Sequence, residues 1–360
     1  MNSVQSKCLD FKLSINLATW NGAKYLPFLF ASLKKQTFKN WTVLVLDNNS
    51  QDDTVDVLKK KLNKLGVQYR LIEKKENIGF ATAHNELYES GGVADCHLVL
   101  NQDTYLTEDC LQNMVNFLDK NERVGAVSPR LMKWNFPDLN GDKIDSLGLK
   151  IFKNRRVVDK YAGRDWHAEQ SKLKMSDRTI KITDTQTAFE VFGVPATVAM
   201  YKNSILREVN LGGKTIFDKD YHSYKEDIDL SFKLRQAGFK SYILMDTVAY
   251  HDRSGAGSKN LSDRGAIINK KSQPEMIRYF SYKNHLATLY KNEYWQNFVL
   301  DIPWIFWYEF KKFVYFLLFD RKILKGLKDL FESRKELNKK RMSNIAGRKV
   351  DWKEMRRWWS

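Results

Sequence analysis

Residues 222–232 read HSYKEDIDLSF, with Glu226 and Asp227 side by side and Asp229 two positions on. A carboxylate so placed can take a proton from an attacking hydroxyl. Acids in a first helical turn are also ordinary capping, favoured by the helix dipole. From Asp227, helical geometry sets Ile228, Phe232 and, roughly, Arg235 along neighbouring turns, with Gly238 as the stop. Asp229 is expected to point away and pair with Arg or Lys. Three further polar clusters stand out: Thr19-Trp20-Asn21, Asp47-Asn48-Asn49 and Asn101-Gln102-Asp103. Any single Asp there reads as a turn or a cap. Three clusters, each closing an apolar run, are harder to dismiss.

Those runs are the elements that must position them. KLSINLATW (12–20) alternates Leu13, Ile15 and Leu17 with polar neighbours, and WTVLVLDNNS (41–50) and HLVLNQD (97–103) are apolar runs ending in polar residues. Each predicts a strand running into a loop. Helical spacing covers Tyr25 to Lys35, then Val55, Leu58, Leu62 and Leu65, then Ala81 to Glu89, with a short strand at Tyr69 to Ile72. Alternating strands and helices predict an α/β fold with a parallel sheet covered on both faces. Ligands bind beyond the carboxyl ends of such strands, where the three clusters meet on one rim. Neither GxGxxG after the first strand nor GxxxxGK[ST] occurs, so ordinary dinucleotide and P-loop sites lose support.

The chain has 360 residues, 43% hydrophobic, enough for a packed core. Cys8, Cys96 and Cys110 cannot all pair and have no metal-finger spacing, which suggests reduced thiols and a cytosolic setting. The N-terminus shows no apolar stretch of signal-peptide length. Net charge is +17, and residues 301–360 hold sixteen Lys/Arg against eight Asp/Glu. Charge alone leaves a nucleic-acid arm, an anionic membrane surface or solvated helix faces open.

Read in order, TWN (19–21), LDNNSQD (46–52), ENIGFATAHN (76–85), NQD (101–103), the stretch 217–240, AYHDRSG (249–255), MIRYFSYKNHLATLYKN (276–292) and the final RRWW (356–359) resemble family-2 glycosyltransferases, particularly the bacterial rhamnosyltransferase-like branch. The resemblance implies a GT-A fold: a Rossmann-like, mostly parallel sheet between helices over about 1–260, its donor half about 1–130 and acceptor half about 131–260. A helical, basic and aromatic membrane-associating region follows over 261–360. It implies that Asp47 faces the nucleotide of a nucleotide-diphosphate sugar, with Thr19, Trp20, Asn21 and Asn49 beside it. Asn77 and Gly79 would bring backbone to the ribose and diphosphate. Asp103 matches the last Asp of the family's DxD, whose first acid is here Asn101, and would hold Mn2+ or Mg2+. His251 matches a histidine that relatives supply to the same ion, unless it is a satisfied strand-end histidine. Asp227 would be the catalytic base, with Glu226 shaping the acceptor site and the alternative base. Arg253 and Lys283 are the candidate acceptor or phosphate contacts, although Lys283 stands where the family has Arg and cannot clamp a phosphate bidentately. Ala196 replaces the usual Gly. Residues 252–259 read equally as a loop closing over the diphosphate or as a surface linker.

The implied activity is inverting transfer of one sugar, L-rhamnose from dTDP-rhamnose on branch resemblance alone, to a lipid-linked glycan acceptor. Residues 294–319 hold twelve aromatics broken by Glu309, Lys311 and Lys312, which argues against a spanning helix. After them, Ile323, Leu324, Leu327, Leu330 and Phe331 form a helical stripe with Arg321, Lys322, Lys325 and Lys328 largely beside it, and a basic amphipathic region with Trp and Phe belongs on a membrane rather than across it. Packing on the catalytic domain, or a homodimer through the segment, stays open. The expected setting is the cytoplasmic membrane's inner face. EMRRW at 354–358 has Glu where processive synthases have Gln and is discounted. A nucleic-acid binder would fit the pI near 9.5, but gives no reason for Asp47, Asp103, Asp227 and His251, so no nucleic acid is expected. A non-catalytic scaffold relative is kept open by Asn101.

Overall fold

In a computed structural model, residues 11–91, 93–139, 141–210, 213–253 and 273–359 are described. The closing loop expected at 252–259 lies, beyond Arg253, outside them. The first half follows the expected alternation: β1 (Leu13–Thr19), α1 (Leu26–Lys35), β2 (Trp41–Asp47), α2 (Thr54–Leu62), β3 (Tyr69–Glu73), α3 (Phe80–Ser90) and β4 (Cys96–Asn101). Leu13, Ile15 and Leu17 are fully buried on one face of β1, packed with Leu26, Leu29 and Leu33 of α1. On the opposite face Val99 of β4 packs with Ala81 and Tyr88 of α3. Each such Leu or Ile contributes about 1.5–3 kcal/mol, and burial on both faces requires the near-continuous apolar runs these strands show.

Next come β5 (Thr104–Leu106), α4 (Cys110–Lys120), β6 (Val124–Lys133), β7 (Ile144–Ser146), the hairpin β8 (Leu149–Ile151) and β9 (Val157–Asp159), α5 (Trp166–Lys174), β10 (Thr179–Lys181), β11 (Thr187–Val191), β12 (Val198–Lys202), α6 (Asn203–Val209), α7 (Glu226–Gln236) and β13 (Lys240–His251). The main sheet runs β10-β11-β13-β6-β12-β4-β1-β2-β3. Pairing is parallel from β3 through β2 and β1 to β4, and again between β6 and β13. Here the sheet departs from the wholly parallel pattern of the first half: β12 runs antiparallel between β4 and β6. Direction matters, because Val198 pairs with Leu100, so β12 starts at the rim where β4 ends. β13 finishes on the same rim, with His251 opposite Thr104 of β5.

The C-terminal part is helical: α8 (Glu275–Asn292), α9 (Trp295–Phe319), α10 (Lys325–Glu332), α11 (Arg334–Ala346) and α12 (Trp352–Arg356). It is anchored on the sheet domain. Met355 and Trp359 pack with Ile151, Phe192, Ile228 and Phe232. Asp301, fully buried, lies between Arg155 (Nη1 at 2.9 Å) and Arg356 (2.8 Å). Arg155 also binds Glu293. A buried carboxylate is costly alone and tolerable when paired on two sides. No described helix is long and apolar enough to cross a membrane.

Candidate functional site

The rim at the ends of β1, β2 and β4 is tied together by its own polar groups. Asp47, at the end of β2, is buried and accepts from Thr19 Oγ1 (3.0 Å), Ser50 N (2.9 Å) and Ser50 Oγ (2.6 Å). Asn21 (φ 48°) receives Gln51 N on its side chain at 2.8 Å and donates its own N–H to Ser50 Oγ at 2.9 Å. Asn49 is likewise left-handed at φ 63°. Gln102 clasps the backbone of Trp20 in both directions, each bond 2.9 Å, leaving the Trp20 indole half exposed beside the site. Asn77 Oδ1 accepts from Gly79 N at 2.9 Å. Gly79 caps α3 at φ 83°, and a Cβ there would meet the His222 ring at 2.6 Å. The close approach that glycine permits is thus to residue 222, whose carbonyl accepts from Ala81 N at 2.9 Å.

Beyond β4, Asp103 Oδ2 faces His251 Nε2 at 3.4 Å. The other imidazole nitrogen lies 2.9 Å from Asp145, a buried carboxylate of β7. Burial alone would lower the His251 pKa, but Asp103 and Asp145 together outweigh it and push it up to about 10. Asp145 stays below the usual carboxylate range: burial opposes this, and the bonds from His251 and Arg253 overcome it. Asn101 Oδ1 is buried and has no hydrogen-bond partner. These donors fit a hard divalent cation that displaces the proton from His251 Nε2, because a coordinating imidazole must be neutral. Two ligand atoms each about 2.1 Å from one ion subtend about 3–3.4 Å, and a carboxylate behind the imidazole is the usual orienting partner of a metal-bound histidine. No three His, Cys, Asp or Glu side chains are placed to hold one metal ion among the described residues, so an ion held by Asp103 and His251 would need ligands from outside the protein.

The acidic knot is built on strain. His222, Tyr224 and Lys225 all have positive φ (57°, 72° and 75°), a conformation costing about 1–3 kcal/mol each for such residues. Asn284 of α8 holds the turn, its amide reaching the carbonyls of Tyr221, Ser223 and Tyr224 at 2.8, 2.9 and 2.8 Å. α7 then begins at Glu226. Asp227 accepts from Ile228 N at 2.8 Å and from Ala196 N at 3.4 Å. The adjacent Thr197 carbonyl accepts from Asn101 N at 2.9 Å. Burial raises the Asp227 pKa, against the pull of Lys225. Glu226 is raised to about 8, by burial and then by Asp227, and its Oε2 has no partner. Asp229 turns the other way, onto Lys291 (3.0 Å) and Asn292 (2.7 Å).

The two sides are linked by charge. Arg253 bridges Asp145 (3.1 Å) and Asp159, and Asp159 raises the Asp227 pKa. Arg253 is therefore engaged with carboxylates, and Lys283 donates to the Asp220 carbonyl at 3.1 Å with its ammonium 5.3 Å from the Phe280 ring centre. Sequence reasoning passed over Asp145, Asp159 and the role of Asn284. Nothing local marks the first two, whereas Asn284 lies beside Lys283 in the stretch 276–292 that carries the family resemblance.

Residues 14–209 match the family model described as Glycosyl transferase family 2. The N-acetylglucosaminyl-diphospho-decaprenol L-rhamnosyltransferase of Mycobacterium tuberculosis (strain CDC 1551 / Oshkosh) is 24% identical over 68% of this chain and 78% of its own. The poly(ribitol-phosphate) beta-N-acetylglucosaminyltransferase TarS of Staphylococcus aureus (strain Mu50 / ATCC 700699) is 28% identical over 118 residues, 30% of this chain and 19% of TarS; the match thus spans about a fifth of that relative. Among solved structures, GalNAc-T7 with UDP, GalNAc and Mn2+ superposes with a TM-score of 0.56 at 11% identity, covering 80% of this chain and 49% of that one. The architecture is the GT-A fold. With more than half its length matched by the family model, the chain belongs to glycosyl transferase family 2.

Proposed function

We propose that this chain is an inverting glycosyltransferase that moves one sugar from a nucleotide-diphosphate sugar to a lipid-linked glycan acceptor at the inner face of the cytoplasmic membrane. The observation that carries this reading is the run of contacts from Asn101 N to the Thr197 carbonyl and from Ala196 N to the Asp227 carboxylate, which links a partly buried acid to the strand end that leads into Asp103. In the proposed reaction the acceptor hydroxyl oxygen bonds to the anomeric carbon as the bond to the diphosphate oxygen breaks. Asp227 takes the hydroxyl proton, and its raised pKa suits it to that task. Asp47, Asn21 and Asn49 form the nucleotide end, with Thr19 fixing Asp47 and Trp20 at its edge. Asp103, His251 and, through its free oxygen, Asn101 would hold Mn2+ or Mg2+. Such an ion, when bound, neutralises charge on the leaving diphosphate. GalNAc-T7 was solved with Mn2+ and UDP, and the mycobacterial relative is an L-rhamnosyltransferase; dTDP-rhamnose is accordingly the first donor to try.

The test is release of nucleoside diphosphate from dTDP-rhamnose, UDP-GlcNAc and GDP-mannose, with a polyprenyl-diphosphate-linked sugar as acceptor. One donor should turn over, only with acceptor and divalent metal present. No turnover of any donor, with nucleotide binding intact, would favour a glycan-binding scaffold.

A further inference from the structure

The longest helix of the molecule, α9, touches the rest of it along one narrow seam. Asn297, Asp301, Ile305, Lys312 and Phe316 recur at helical spacing toward the interior. Both of its carboxylates lie in that seam: Asp301 between Arg155 and Arg356, and Glu309 between His285 (2.7 Å) and Lys312 (3.0 Å). The outer circumference is apolar and carries no acid. Trp295, Phe298, Trp304, Phe306, Trp307 and Phe310 are between 42% and 68% exposed. A continuous apolar face of this kind marks a contact surface.

Its border is cationic. Lys153, in the β8–β9 turn, sits 5.4 Å from the Trp304 ring centre, and Lys311 sits 5.7 Å from that of Trp307. Arg321, Lys322 and Lys325 follow the last turn. We propose that α9 lies in the plane of an anionic bilayer, with Trp304, Phe306 and Trp307 entering the acyl boundary and the bordering cations at phosphate level. Charge selects this occupant over a second copy of the chain. Two such faces brought together would oppose cation to cation, whereas lipid phosphates have the complementary sign. Arg155 ties α9 through Asp301 to the β8–β9 hairpin, whose Leu149 and Ile151 pack with Ile228, the residue after Asp227. A lipid-linked acceptor would thus reach Asp227 from the bilayer plane, a consequence that rests on the function proposed above.

The experiment is flotation of the full chain with vesicles of equal parts phosphatidylglycerol and phosphatidylcholine, and with phosphatidylcholine alone. Binding should favour the anionic vesicles by about tenfold or more, with a blue shift of tryptophan emission. The F306S/W307S variant keeps the net charge and alters two exposed positions, so its expected loss of about tenfold in partitioning reads insertion rather than charge. Calorimetric nucleotide binding by the variant should be unchanged, which shows that it is folded. Wild-type protein that fails to float, or a variant that floats equally well, overturns the proposal. A sedimenting dimer dissociated by F306S/W307S, without vesicle binding, assigns the face to a second copy. Vesicle binding with no nucleotide binding by wild type would instead sink the transferase reading and leave this one standing.

Discussion

Asp47 and Glu226 are both buried carboxylates at the site, and the molecule treats them in opposite ways. Asp47 is satisfied by Thr19 and Ser50 before any ligand arrives. Glu226 keeps one oxygen without a partner, and burial plus the neighbouring Asp227 raises its pKa. On the function proposed here Asp47 belongs to the donor side, where its carboxylate is settled at little internal cost. The Glu226 side, proposed to meet the acceptor, stores unfavourable charge and backbone strain, held in place by Asn284, and such storage is a mark of chemistry. The family's sheet positions both, but only the second is held against its own preference.

The largest effect should come from Asp227→Asn, which keeps shape and removes the proposed base. Transfer should fall by about 10³-fold while nucleotide affinity stays within twofold; loss of both would erase the division between the sides. Next, Arg155→Ala strands Glu293 in the interior and leaves Asp301 to Arg356 alone, and should cost about 3–5 kcal/mol in urea unfolding. A loss below about 1 kcal/mol would show that the C-terminal helices are not fixed to the acceptor side through this cluster.

Asp145→Asn weakens the hold on His251 without touching Asp103 or Asp227. Metal-dependent nucleotide binding should weaken about 10–100-fold, with metal-independent binding unaltered. Equal binding in the variant would show that His251 needs no orienting carboxylate. The smallest effect concerns pH. A carboxyl whose folded pKa is raised favours the protonated native state. Its contribution is full below the ordinary carboxylate range and is lost as pH rises through about 8. Wild type should therefore lose stability between pH 5 and pH 8 with a slope up to about 1.4 kcal/mol per pH unit. Glu226→Gln should flatten that profile. Parallel profiles for the two proteins would mean that Glu226 is not held neutral.

Legibility divided along the same line. The donor strands were readable because double-sided burial forces apolar runs, and polar residues appear abruptly where β1, β2 and β4 leave the core. The helical phase also sent Asp229 away from Asp227, onto Lys291. Contacts made by distant segments have no local signature. The meeting of His251 with Asp103 follows from the resemblance alone, and the fold makes it by pairing β13 with β5, whereas Asp145 reaches His251 from a three-residue strand that nothing in the sequence flags. The antiparallel course of β12, which delivers Ala196 to Asp227, has no periodic signature distinct from a parallel strand of similar length. Ala196 had registered as a departure from the family pattern, whereas what Asp227 uses there is the backbone N–H, which any residue but proline supplies.

The most direct measurement is calorimetric binding of dTDP, UDP and GDP, each with and without Mn2+ or Mg2+, to wild type and Asp103→Ala. One nucleotide binding in the micromolar range only with metal, and lost in the variant, is the predicted result. Failure of all three to bind wild type with metal present would contradict a nucleotide-sugar site at this rim.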